Sequence, residues 1–464
     1  MNKMYDICIT GGGTAGCAAA YIASKLGLKT ALVEKNNYLG GLMTGGLVLP
    51  VMKSEDENIN VEFYKSLVSN LKKVNGAIEY FDNNDGWFNP ELLKITLDKM
   101  LKSVGVDIYF EMEPVKVHKR NSLIKYIDFS SNILSLSIYS KYFIDSTGDA
   151  KIFKLLGQKF YQENEEKQPA SLRFLVANVD IEKLKDFLIE TDKNKDVTNF
   201  CTYNGKIHLT TAYTWDEKNW GLKPLFEKAL QNGDLTPFDT AYFQLFTVAG
   251  ADGLIAFNCP RLRNFDVNSP LDYSNAIIEA REAIYRIFLF VKKYFKGFEN
   301  AYISNIAPIT GKRETNKIIA KKQYTIEDMK NEMPEEPILC GDYPIDIHSN
   351  KKDGSILKTN GKYYLTIDSL MSKDYNNLYA AGRNLGADNK TQGALRIEKN
   401  CMSMGEGVSK HIYKILKLNL CENKITIRHC QGFEHILRNV KIFYYVVCSL
   451  LIFFLLKFLI YIPY

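Results

Sequence analysis

The spacing of apolar and polar residues changes several times within the first 35 positions. An apolar run at Tyr5–Ile9 is followed by a glycine-rich turn and by an alanine-rich stretch, residues 14–20, that is typical of a helix. A second apolar run, residues 29–33, ends at Glu34. The order strand, helix, strand predicts a βαβ unit of the kind that binds dinucleotides.

Elements of both kinds continue to about residue 150. Residues 88–101 carry apolar side chains at helical spacing after an Asn-Pro start. Short β-type runs follow at residues 106–110 and 115–117, and the alternation over residues 123–142 predicts a β-meander. We therefore expect an α/β fold whose first domain is Rossmann-like, with a parallel sheet and a β-meander.

The pattern loosens and becomes aromatic from about residue 160 to 305. Tyr213, Trp215 and Trp220 stand here among polar residues, and a long helix is predicted from about Pro270 to Phe295. This composition predicts an inserted α+β cap or substrate domain.

The last recognisable unit is a strand within residues 377–383, followed by a helix that opens at residues 393–396 and continues towards residue 416. The expected organisation is a discontinuous dinucleotide-binding domain, a cap and a C-terminal extension with an apolar segment. Their expected bounds are 1–160 with 306–416, 161–305, 417–464 and 442–462.

The glycine-rich turn has the spacing of a dinucleotide fingerprint. Gly11 suits the tight turn, Gly13 lets a pyrophosphate approach the backbone, and Gly16 lets the helix pack on the strand. The N-terminus of the helix, with a partial charge of roughly half an elementary charge, faces the phosphates. Glu34 is placed to accept a hydrogen bond from a ribose hydroxyl. A glycine-rich turn without a ligand is the alternative.

Length and composition narrow the class of protein. A chain of 464 residues predicts two domains plus an appendage, and 46 % hydrophobic with 24 % charged residues is typical of a globular protein. The net charge of +6 is spread thinly, without a dense run of lysine and arginine. This charge pattern does not indicate a nucleic-acid partner.

The nine cysteines include no Cys-x-x-Cys pair, and no signal peptide precedes the fingerprint, so we expect a reducing, cytoplasmic location. Paired-cysteine redox chemistry and structural zinc are not expected. Cys401 is interpreted as a small buried helix residue. No metal is expected, because the remaining histidines lack ligand spacing: His118, His208, His411, His429 and His435.

Two further motifs lie far from the fingerprint in sequence. Residues 145–149, Asp-Ser-Thr-Gly-Asp, follow an apolar strand, so that backbone can lie close to a nucleotide; a bare turn is the alternative. Residues 381–383, Ala-Gly-Arg, place glycine backbone and a cation at another strand end. The helix expected to begin near Gly393 offers a positive N-terminus, which stabilises a reduced flavin by about 0.3–1 kcal/mol.

Together the motifs resemble the FAD-dependent oxidoreductase family of the glutathione-reductase-like flavoproteins with two dinucleotide-binding domains. The resemblance covers residues 1 to about 415, and its other matching segments are residues 39–46, 89–91, 311–315, 346–348 and 401–406. Where the family usually carries two further basic residues after Arg-Glu-Thr, this chain has Asn316-Lys317. The surface that faces the substrate is therefore expected to differ.

The resemblance implies an extended FAD, with its ADP half on the first βαβ unit and its flavin near residues 40–44 and 393–396. The cofactor-binding residues implied are Gly11, Gly13, Thr14, Ala15, Gly16, Glu34, Lys35, Gly41, Leu42, Thr44, Val115, Thr147, Gly148, Asp149, Gly382, Arg383, Gly393 and Leu395.

Three residues are candidates for catalysis, because redox chemistry on a polar substrate needs a proton carrier and a cation near the flavin. His348 is the candidate proton carrier, and Arg313 and Arg396 are the candidate cations. His348 has the alternative of a polar residue that caps a loop. Arg313 has the alternative of a structural pair with Glu314 or a buried carboxylate.

The C-terminal tail contains fifteen uncharged residues, 442–456, and its apolar character resumes after Lys457. A membrane-spanning helix needs about twenty mostly apolar residues, and Arg438 with Lys441 supplies a basic flank. Three interpretations stay open: a C-terminal membrane anchor, a core or oligomer-interface helix, and a sequence end altered by a frameshift.

The sequence thus predicts an FAD-dependent oxidoreductase enzyme that transfers a hydride or an electron pair between a small-molecule substrate and flavin beneath a cap. The direction of the reaction stays open. The electron acceptor is a quinone, another protein or oxygen, because residues 249–253 lack the spacing of a second nucleotide fingerprint. The alternatives are a nicotinamide-only Rossmann dehydrogenase and a non-catalytic or electron-transfer flavoprotein at the membrane.

Overall fold

The computed structural model divides the chain into the unit Met1–Lys410 and the unit His411–Tyr464. Of the second unit, residues 411–418 are described, and they are helical. The structure describes residues 3–54, 58–80, 83–163, 168–192, 197–213, 220–240, 242–262, 265, 269–348, 355–357 and 361–418.

The elements of the first unit have the following bounds. The first eight strands are β1 Met4–Thr10, β2 Thr30–Val33, β3 Ala77–Ile78, β4 Trp87–Phe88, β5 Asp107–Tyr109, β6 Glu113–Arg120, β7 Leu123–Ser130 and β8 Ser135–Asp145. The next nine are β9 Phe160–Tyr161, β10 Ala170–Ser171, β11 Phe174–Ala177, β12 Thr198–Tyr203, β13 Lys206–Tyr213, β14 Phe243–Thr247, β15 Ile255–Phe257, β16 Arg261–Leu262 and β17 Tyr302–Ile306. The last six are β18 Lys317–Ile318, β19 Leu339–Gly341, β20 Ile345–Ile347, β21 Ser355–Leu357, β22 Tyr363–Leu365 and β23 Leu378–Ala380.

The helices of this unit are α1 Thr14–Lys25, α2 Glu62–Lys73, α3 Pro90–Ser103, α4 Lys151–Leu155, α5 Ile181–Thr191, α6 Lys223–Gln231, α7 Pro270–Tyr294 and α8 Asn389–Leu395. Residues 398–410 are also helical, and short 3₁₀ turns occur at Asp328–Lys330 and Ile367–Ser369.

The main sheet is parallel at its centre and antiparallel at one side. Its parallel strands follow the order β5-β2-β1-β8-β23, while β7 and β6 continue antiparallel from the first half of β8. All four residues of β2 are buried, as expected for a strand covered on both faces. The predicted Rossmann-like sheet with a β-meander is confirmed.

The long helix α3 shows how local sequence starts an element of this sheet. The Asn89 side chain accepts hydrogen bonds from the N–H groups of Glu91 and Leu92, and Pro90 occupies the first turn. Leu93, Leu97, Met100 and Leu101 then lie buried on one face. The helix predicted over residues 88–101 is therefore present, displaced by two residues.

The segment with loose patterning folds as a second sheet. Six antiparallel strands follow the order β12-β13-β14-β15-β11-β17, and aromatic rings fill its core, with Phe174 and Phe257 stacked at 4.5 Å. Trp220 is buried there and donates to the Thr211 hydroxyl at 3.1 Å, so it is a core residue. The predicted α+β character is confirmed, and Trp215 lies outside the described residues.

Two predictions at the C-terminal side have different outcomes. The long helix predicted from Pro270 is confirmed as α7. The helix predicted to open at Gly393 is wrong, because α8 begins at Asn389 and ends at Leu395, and a turn separates it from the helical residues 398–410. None of the helices in the described part of the chain is long and apolar enough to cross a membrane, and the apolar segment 442–462 lies outside that part.

Candidate cofactor and substrate site

Three glycine-containing segments leave the main sheet at the same edge. Thr10 of β1 pairs with Asp145 of β8, and Asp145 pairs with Ala380 of β23, so the three strands end in register. Backbone hydrogen bonds continue this alignment, from Ser146 N to Thr10 O at 2.8 Å and from Ala381 N to Asp145 O at 3.0 Å. In open α/β sheets this carboxyl edge is where ligands bind.

Two fingerprint glycines are required by close contacts within the protein. A Cβ on Gly16 would lie 1.8 Å from the Gly11 carbonyl oxygen. Gly11 has a φ of +99°, and a Cβ there would lie 2.5 Å from the Ser146 oxygen. These glycines let α1 and the end of β8 approach the turn.

Gly13 faces a different environment. A Cβ on it would meet one neighbour within 4 Å, the Gly41 Cα at 3.9 Å. Gly13 is also the N-cap of α1, and no side chain in the described part of the chain caps this helix end. The N–H groups of Thr14, Ala15 and Gly16 therefore begin the helix without a side-chain acceptor from those residues. The space and the donors together fit a diphosphate.

Glu34 is held in place at the end of β2. Its Oε2 accepts from Gly12 N at 2.6 Å, and its Oε1 accepts from Asn36 N at 2.9 Å and from the Asn36 side-chain amide at 2.6 Å. Burial raises the pKa of Glu34, although these bonds oppose the rise. Oε2, which accepts one of these bonds, has a second lone pair that can accept from a ribose hydroxyl.

The Asp145–Asp149 segment divides into a structural part and a charged part. Asp145 is fully buried and accepts from Thr147 N at 3.0 Å, from the Thr147 hydroxyl at 2.7 Å and from Ile152 N at 2.8 Å, which fixes the turn into α4. Burial raises the pKa of Asp145 to about 6. Thr147 and Gly148 therefore lie in a turn whose conformation is fixed by the hydrogen bonds that Asp145 accepts.

Arg383 connects the second and third motifs directly. Its Nη2 donates to Asp149 Oδ1 at 3.0 Å, its Nε to Gly148 O at 3.1 Å, and its Nη1 to Lys312 O at 3.1 Å. Burial alone would raise the pKa of Asp149, but the charges of Arg383 and Lys312 outweigh it and lower that pKa. Residues 145–149 and 381–383, which are far apart in sequence, are thus hydrogen-bonded to each other in the fold.

The remaining predicted cofactor residues lie around this edge. Thr44 is buried and donates to Leu39 O at 2.6 Å, which closes the turn that carries Gly41 and Leu42. The charge of Lys35 acts on both Glu34 and Asp149.

Val115 lies further from the motifs, at an irregularity in β6, and it is 52 % exposed. The chain enters β6 beside Glu34, whose carbonyl oxygen accepts from Met112 N at 3.1 Å. A role for Val115 in cofactor binding stays a prediction.

Gly393 and Leu395 are buried inside α8. A Cβ on Gly393 would lie 3.1 Å from the Asp346 carbonyl oxygen. The helix start is instead marked by Asp388, whose side chain accepts from Thr391 N at 2.7 Å. The donor end expected at Gly393 therefore lies one turn earlier.

The three candidate catalytic residues converge on Asp346, at the centre of β20. Asp346 Oδ2 lies 3.2 Å from His348 Nε2 and 3.4 Å from Arg396 Nη2. Arg313 acts electrostatically on both Asp346 and His348. Its Nη1 also donates to Pro169 O at 2.6 Å and to the Ser171 hydroxyl at 2.9 Å, so it has structural contacts as well.

The charges around Asp346 and His348 determine the protonation states of these two side chains. Burial opposes ionisation of Asp346, but the hydrogen bond with His348 and the charges of His348, Arg396 and Arg313 hold its pKa well below the usual range. Burial and the charges of Arg313 and Arg261 lower the pKa of His348 to about 2, although Asp346 opposes this. At neutral pH the imidazole is neutral.

Because ionised Asp346 only accepts hydrogen bonds, His348 Nε2 carries the hydrogen and Nδ1 is the acceptor. The sequence predicts His348 as a proton carrier near neutral pH. In the structure, the charges of the arginines lower the basicity of its imidazole.

Gln392 joins the cofactor edge to this cluster. Its amide nitrogen donates to Arg313 O at 3.1 Å and to Arg383 O at 3.3 Å. Its Oε1 is buried and has no hydrogen-bond partner among the described residues. The residue was missed in the sequence, where one glutamine inside a helix carries no distinctive signal.

Two buried arginines and a carboxyl group were also missed. Arg173 donates from Nη1 to the carbonyl oxygens of Leu47 and Leu49, at 3.2 and 3.3 Å. Arg261 stacks on the Tyr242 ring at 4.1 Å. The carboxyl group of Glu398 faces Arg173, and burial raises its pKa.

The two residues at the departure from the family pattern point inward. Asn316 donates to Asp149 O at 3.1 Å. Lys317 is 2 % exposed and lies 3.4 Å from Glu163 and 3.8 Å from Glu314. Glu314 is therefore paired with Lys317 and does not hold Arg313.

Cys401 is buried in the helical residues 398–410, as predicted, and burial raises the pKa of its thiol to about 12. Within the described residues, no group of three or more His, Cys, Asp and Glu side chains is arranged to hold a metal ion.

The model of the FAD dependent oxidoreductase family matches residues 6–431 of the chain. The chain belongs to this family. FAD is its cofactor, in agreement with the unfilled space at Gly13, the uncapped start of α1 and the fixed Glu34 carboxylate. A nicotinamide-only dehydrogenase is accordingly not supported.

Curated relatives match the chain over about a third of its length or less. A thiamine thiazole synthase of Metallosphaera sedula is 29 % identical over 160 residues, which cover 33 % of this chain and 58 % of that protein. A digeranylgeranylglycerophospholipid reductase of Sulfolobus acidocaldarius is 31 % identical over 32 % of this chain and 35 % of that protein. A cinnamate reductase of Clostridium sporogenes is 33 % identical over 26 % and 18 %. The chain thus spans less than two thirds of the relatives' lengths.

Among solved structures, a geranylgeranyl bacteriochlorophyll reductase-like protein of Thermoplasma acidophilum is 13 % identical, with a TM-score of 0.44 over 90 % of this chain and 80 % of that one. The p-nitrophenol 4-monooxygenase of Pseudomonas putida is 9 % identical, with a TM-score of 0.45 over 90 % and 82 %.

Proposed function

We propose that the protein is an enzyme that transfers a hydride or an electron pair between a small-molecule substrate and FAD. The observation that carries this proposal is the link between two sites. Gln392 hydrogen-bonds to both Arg383, at the cofactor edge, and Arg313, in the polar cluster around Asp346. The cofactor and a set of charged side chains are thereby held within one framework.

FAD, when bound, supplies the two-electron redox chemistry, and the protein binds and orients. Gly13 and the start of α1 would hold the diphosphate, and Glu34 would accept from the ribose. The turn at Gly41–Thr44 and the Gly382–Arg383 backbone would contribute to the flavin site. The second sheet serves as the cap that covers the substrate.

The Asp346–His348 pair positions a proton acceptor. Asp346 fixes the imidazole tautomer through Nε2, so that Nδ1 can take a proton from the substrate. Arg313 and Arg396 act as cations near the reacting atoms. In this proposal, His348 gains basicity when negative charge enters the cluster and offsets the arginines.

A flavin spectrum tests the proposal directly. The purified full-length protein should be yellow, and an anaerobic screen of small-molecule donors should find one that bleaches the flavin absorbance. If the protein holds FAD and passes electrons only to or from other redox proteins, the electron-transfer alternative replaces the enzyme. A colourless protein that retains only NAD would contradict the FAD assignment.

A cytoplasmic location with a tail anchored in the membrane forms part of the proposal. It is supported by the uncharged residues 442–456 and by the basic residues Arg438 and Lys441 before them. Full-length protein should pellet with membranes, while a chain that ends at residue 418 should not. Recovery of the full-length protein in the supernatant would favour an interface helix or an altered sequence end.

A further inference from the structure

Four arginines from separate segments meet in one buried region. Arg173, Arg261 and Arg313 are 8, 5 and 9 % exposed, and the side chain of Arg396 is 14 % exposed. We call these four residues the arginine group. Burial and the charges of the other three members lower the pKa of Arg313 well below its usual value, so the four positive charges act on one another.

Within the described residues, two carboxyl groups, Asp346 and Glu398, act on Arg173, Arg313 and Arg396. Asp346 is ionised and lies 3.4 Å from Arg396. Glu398 is the second carboxyl group that acts on these arginines, but burial raises its pKa and favours its neutral form. These three arginines therefore outnumber the ionised carboxylates among the described residues, and burying such an excess of charge is costly.

Arg173, Arg313 and Arg396 also have N–H donors that find no acceptor among the described residues. Arg313 uses Nη1 for Pro169 and Ser171, and its Nε and Nη2 make no hydrogen bond to the part of the chain that the structure describes. The Nε atoms of Arg173 and Arg396 are likewise buried without an acceptor. Since a guanidinium has five donor hydrogens in a planar fork, the region suits a planar or tetrahedral oxyanion.

Two members reach the region from the side of the second sheet. Arg261 belongs to β16, and Arg173 lies between β10 and β11, whereas Arg396 follows α8 on the cofactor side. β10 and β16 pair with each other, and Ser171 forms a bridge with Gly311, two residues before Arg313. The arginine group thus connects the β10–β16 pair to the segment that carries Arg313 and to the end of α8.

We propose that the arginine group binds the substrate, and that the substrate is a small organic anion with a carboxylate or phosphate group. This inference rests on the proposed oxidoreductase function and names the class of its substrate. A reduced flavin carries one negative charge, which is less than the excess of Arg173, Arg313 and Arg396 over Asp346 among the described residues. The anion also offsets the charges that suppress the basicity of His348.

The test titrates the FAD-loaded full-length protein with succinate, inorganic phosphate and uncharged succinamide, and follows the flavin absorbance. Succinate or phosphate should give a saturable spectral shift, and succinamide should not. The response to succinate against phosphate separates the carboxylate from the phosphate form of the proposal. An equal response to succinamide, or no response to either anion, overturns the proposal.

Variants locate the site. Arg313→Gln should weaken anion binding by about tenfold or more, since a hydrogen bond to a charged group is lost. Arg261→Gln should do the same without touching the Pro169 and Ser171 contacts. Arg281→Gln, which removes an exposed arginine of α7, should bind the anion normally.

FAD retention, anion affinity and the flavin midpoint potential together distinguish an unfolded variant, a failed function proposal and a failed substrate proposal. Retention of FAD by each variant shows that the protein is folded. If the wild-type protein holds no FAD, the proposed function itself fails. If Arg313→Gln and Arg261→Gln shift the flavin midpoint potential but leave anion affinity unchanged, the arginine group serves the flavin and the substrate proposal is wrong.

Discussion

Gly13 and Gly16 are separated by less than one helical turn, yet their missing side chains serve different partners. Gly13 has an ordinary φ of −75° and open space, so alanine fits the protein but intrudes where the diphosphate approaches. Gly13→Ala should keep the free energy of unfolding of the FAD-free protein while FAD retention falls. Full FAD retention would contradict the phosphate role of Gly13.

Gly16→Ala is the matched variant, because its Cβ would collide with the Gly11 carbonyl at 1.8 Å. It should lower the free energy of unfolding even without FAD. Chemical denaturation of both FAD-free variants and flavin absorbance after gel filtration separate the two effects.

His348 should make the protein sensitive to mild acid. Its pKa is about 2 in the folded protein and about 6.5 when unfolded, so below pH 6.5 the unfolded chain binds a proton that the native state does not. Stability is therefore lost as the pH falls from 6.5, by about 2 kcal/mol at pH 5.

The measurement is chemical unfolding at pH 7 and pH 5 for the wild type and His348→Gln. The variant should lose less free energy over this range, because glutamine does not titrate. Equal losses would show that His348 titrates normally in the folded protein.

At the scale of single residues, the sequence predicted what a fixed spacing determines. The glycine fingerprint and Glu34 follow such a rule, because each position has a steric or hydrogen-bonding reason. The positions of Arg173 and Arg261 in the sequence follow no such spacing rule. They meet through the pairing of β10 with β16, 90 residues apart in the register Ser171↔Arg261, and local patterns do not encode such pairings.

Among the elements, α3 owes its start to one side chain. Asn89 caps two N–H groups and also donates to Ala249 O at 3.2 Å, which ties the helix to the segment after β14. Asn89→Ala should lower the free energy of unfolding by about 1–2 kcal/mol, through loss of the cap and of this bond.

Asn89→Ser is the matched variant, because serine retains a capping oxygen but does not supply the amide that reaches Ala249. It should lose less stability than Asn89→Ala in urea denaturation. An Asn89→Ala protein with an unchanged urea midpoint would show that the cap contributes nothing to the unit.

The error at Gly393 shows why element boundaries were harder to predict than element types. A glycine near an apolar stretch was taken for a helix start, whereas the capping residue is Asp388, with Thr391 as the donor. The turn at Arg396 then breaks the helical pattern. Asp388 carried the correct signal, because an aspartate before a helix is a common N-cap.

For the whole molecule, FAD should act as a structural element as well as a reactant, because its expected contacts join the ends of β1, β2, β8 and β23. A ligand that binds only the folded state raises the free energy of unfolding by about 2.7 kcal/mol at a concentration 100 times its Kd. Removal of FAD should therefore lower the melting temperature, and added FAD should restore it.

Gly13→Ala provides the control for this experiment. Its melting temperature should match that of the FAD-free wild type and respond little to added FAD. A wild-type protein whose melting temperature is independent of FAD would contradict the link between cofactor and fold.

Arg173, which directly precedes β11 of the second sheet, links that sheet to the loop at Leu47 and Leu49. Its guanidinium holds the carbonyls of Leu47 and Leu49, in the chain that follows the turn proposed to lie beside the flavin, while its charge acts in the arginine group. A displacement of that turn on flavin reduction would carry the guanidinium with it. Since linkage is reciprocal, the factor by which reduction changes anion affinity is also the factor by which a bound anion shifts the redox equilibrium of the flavin.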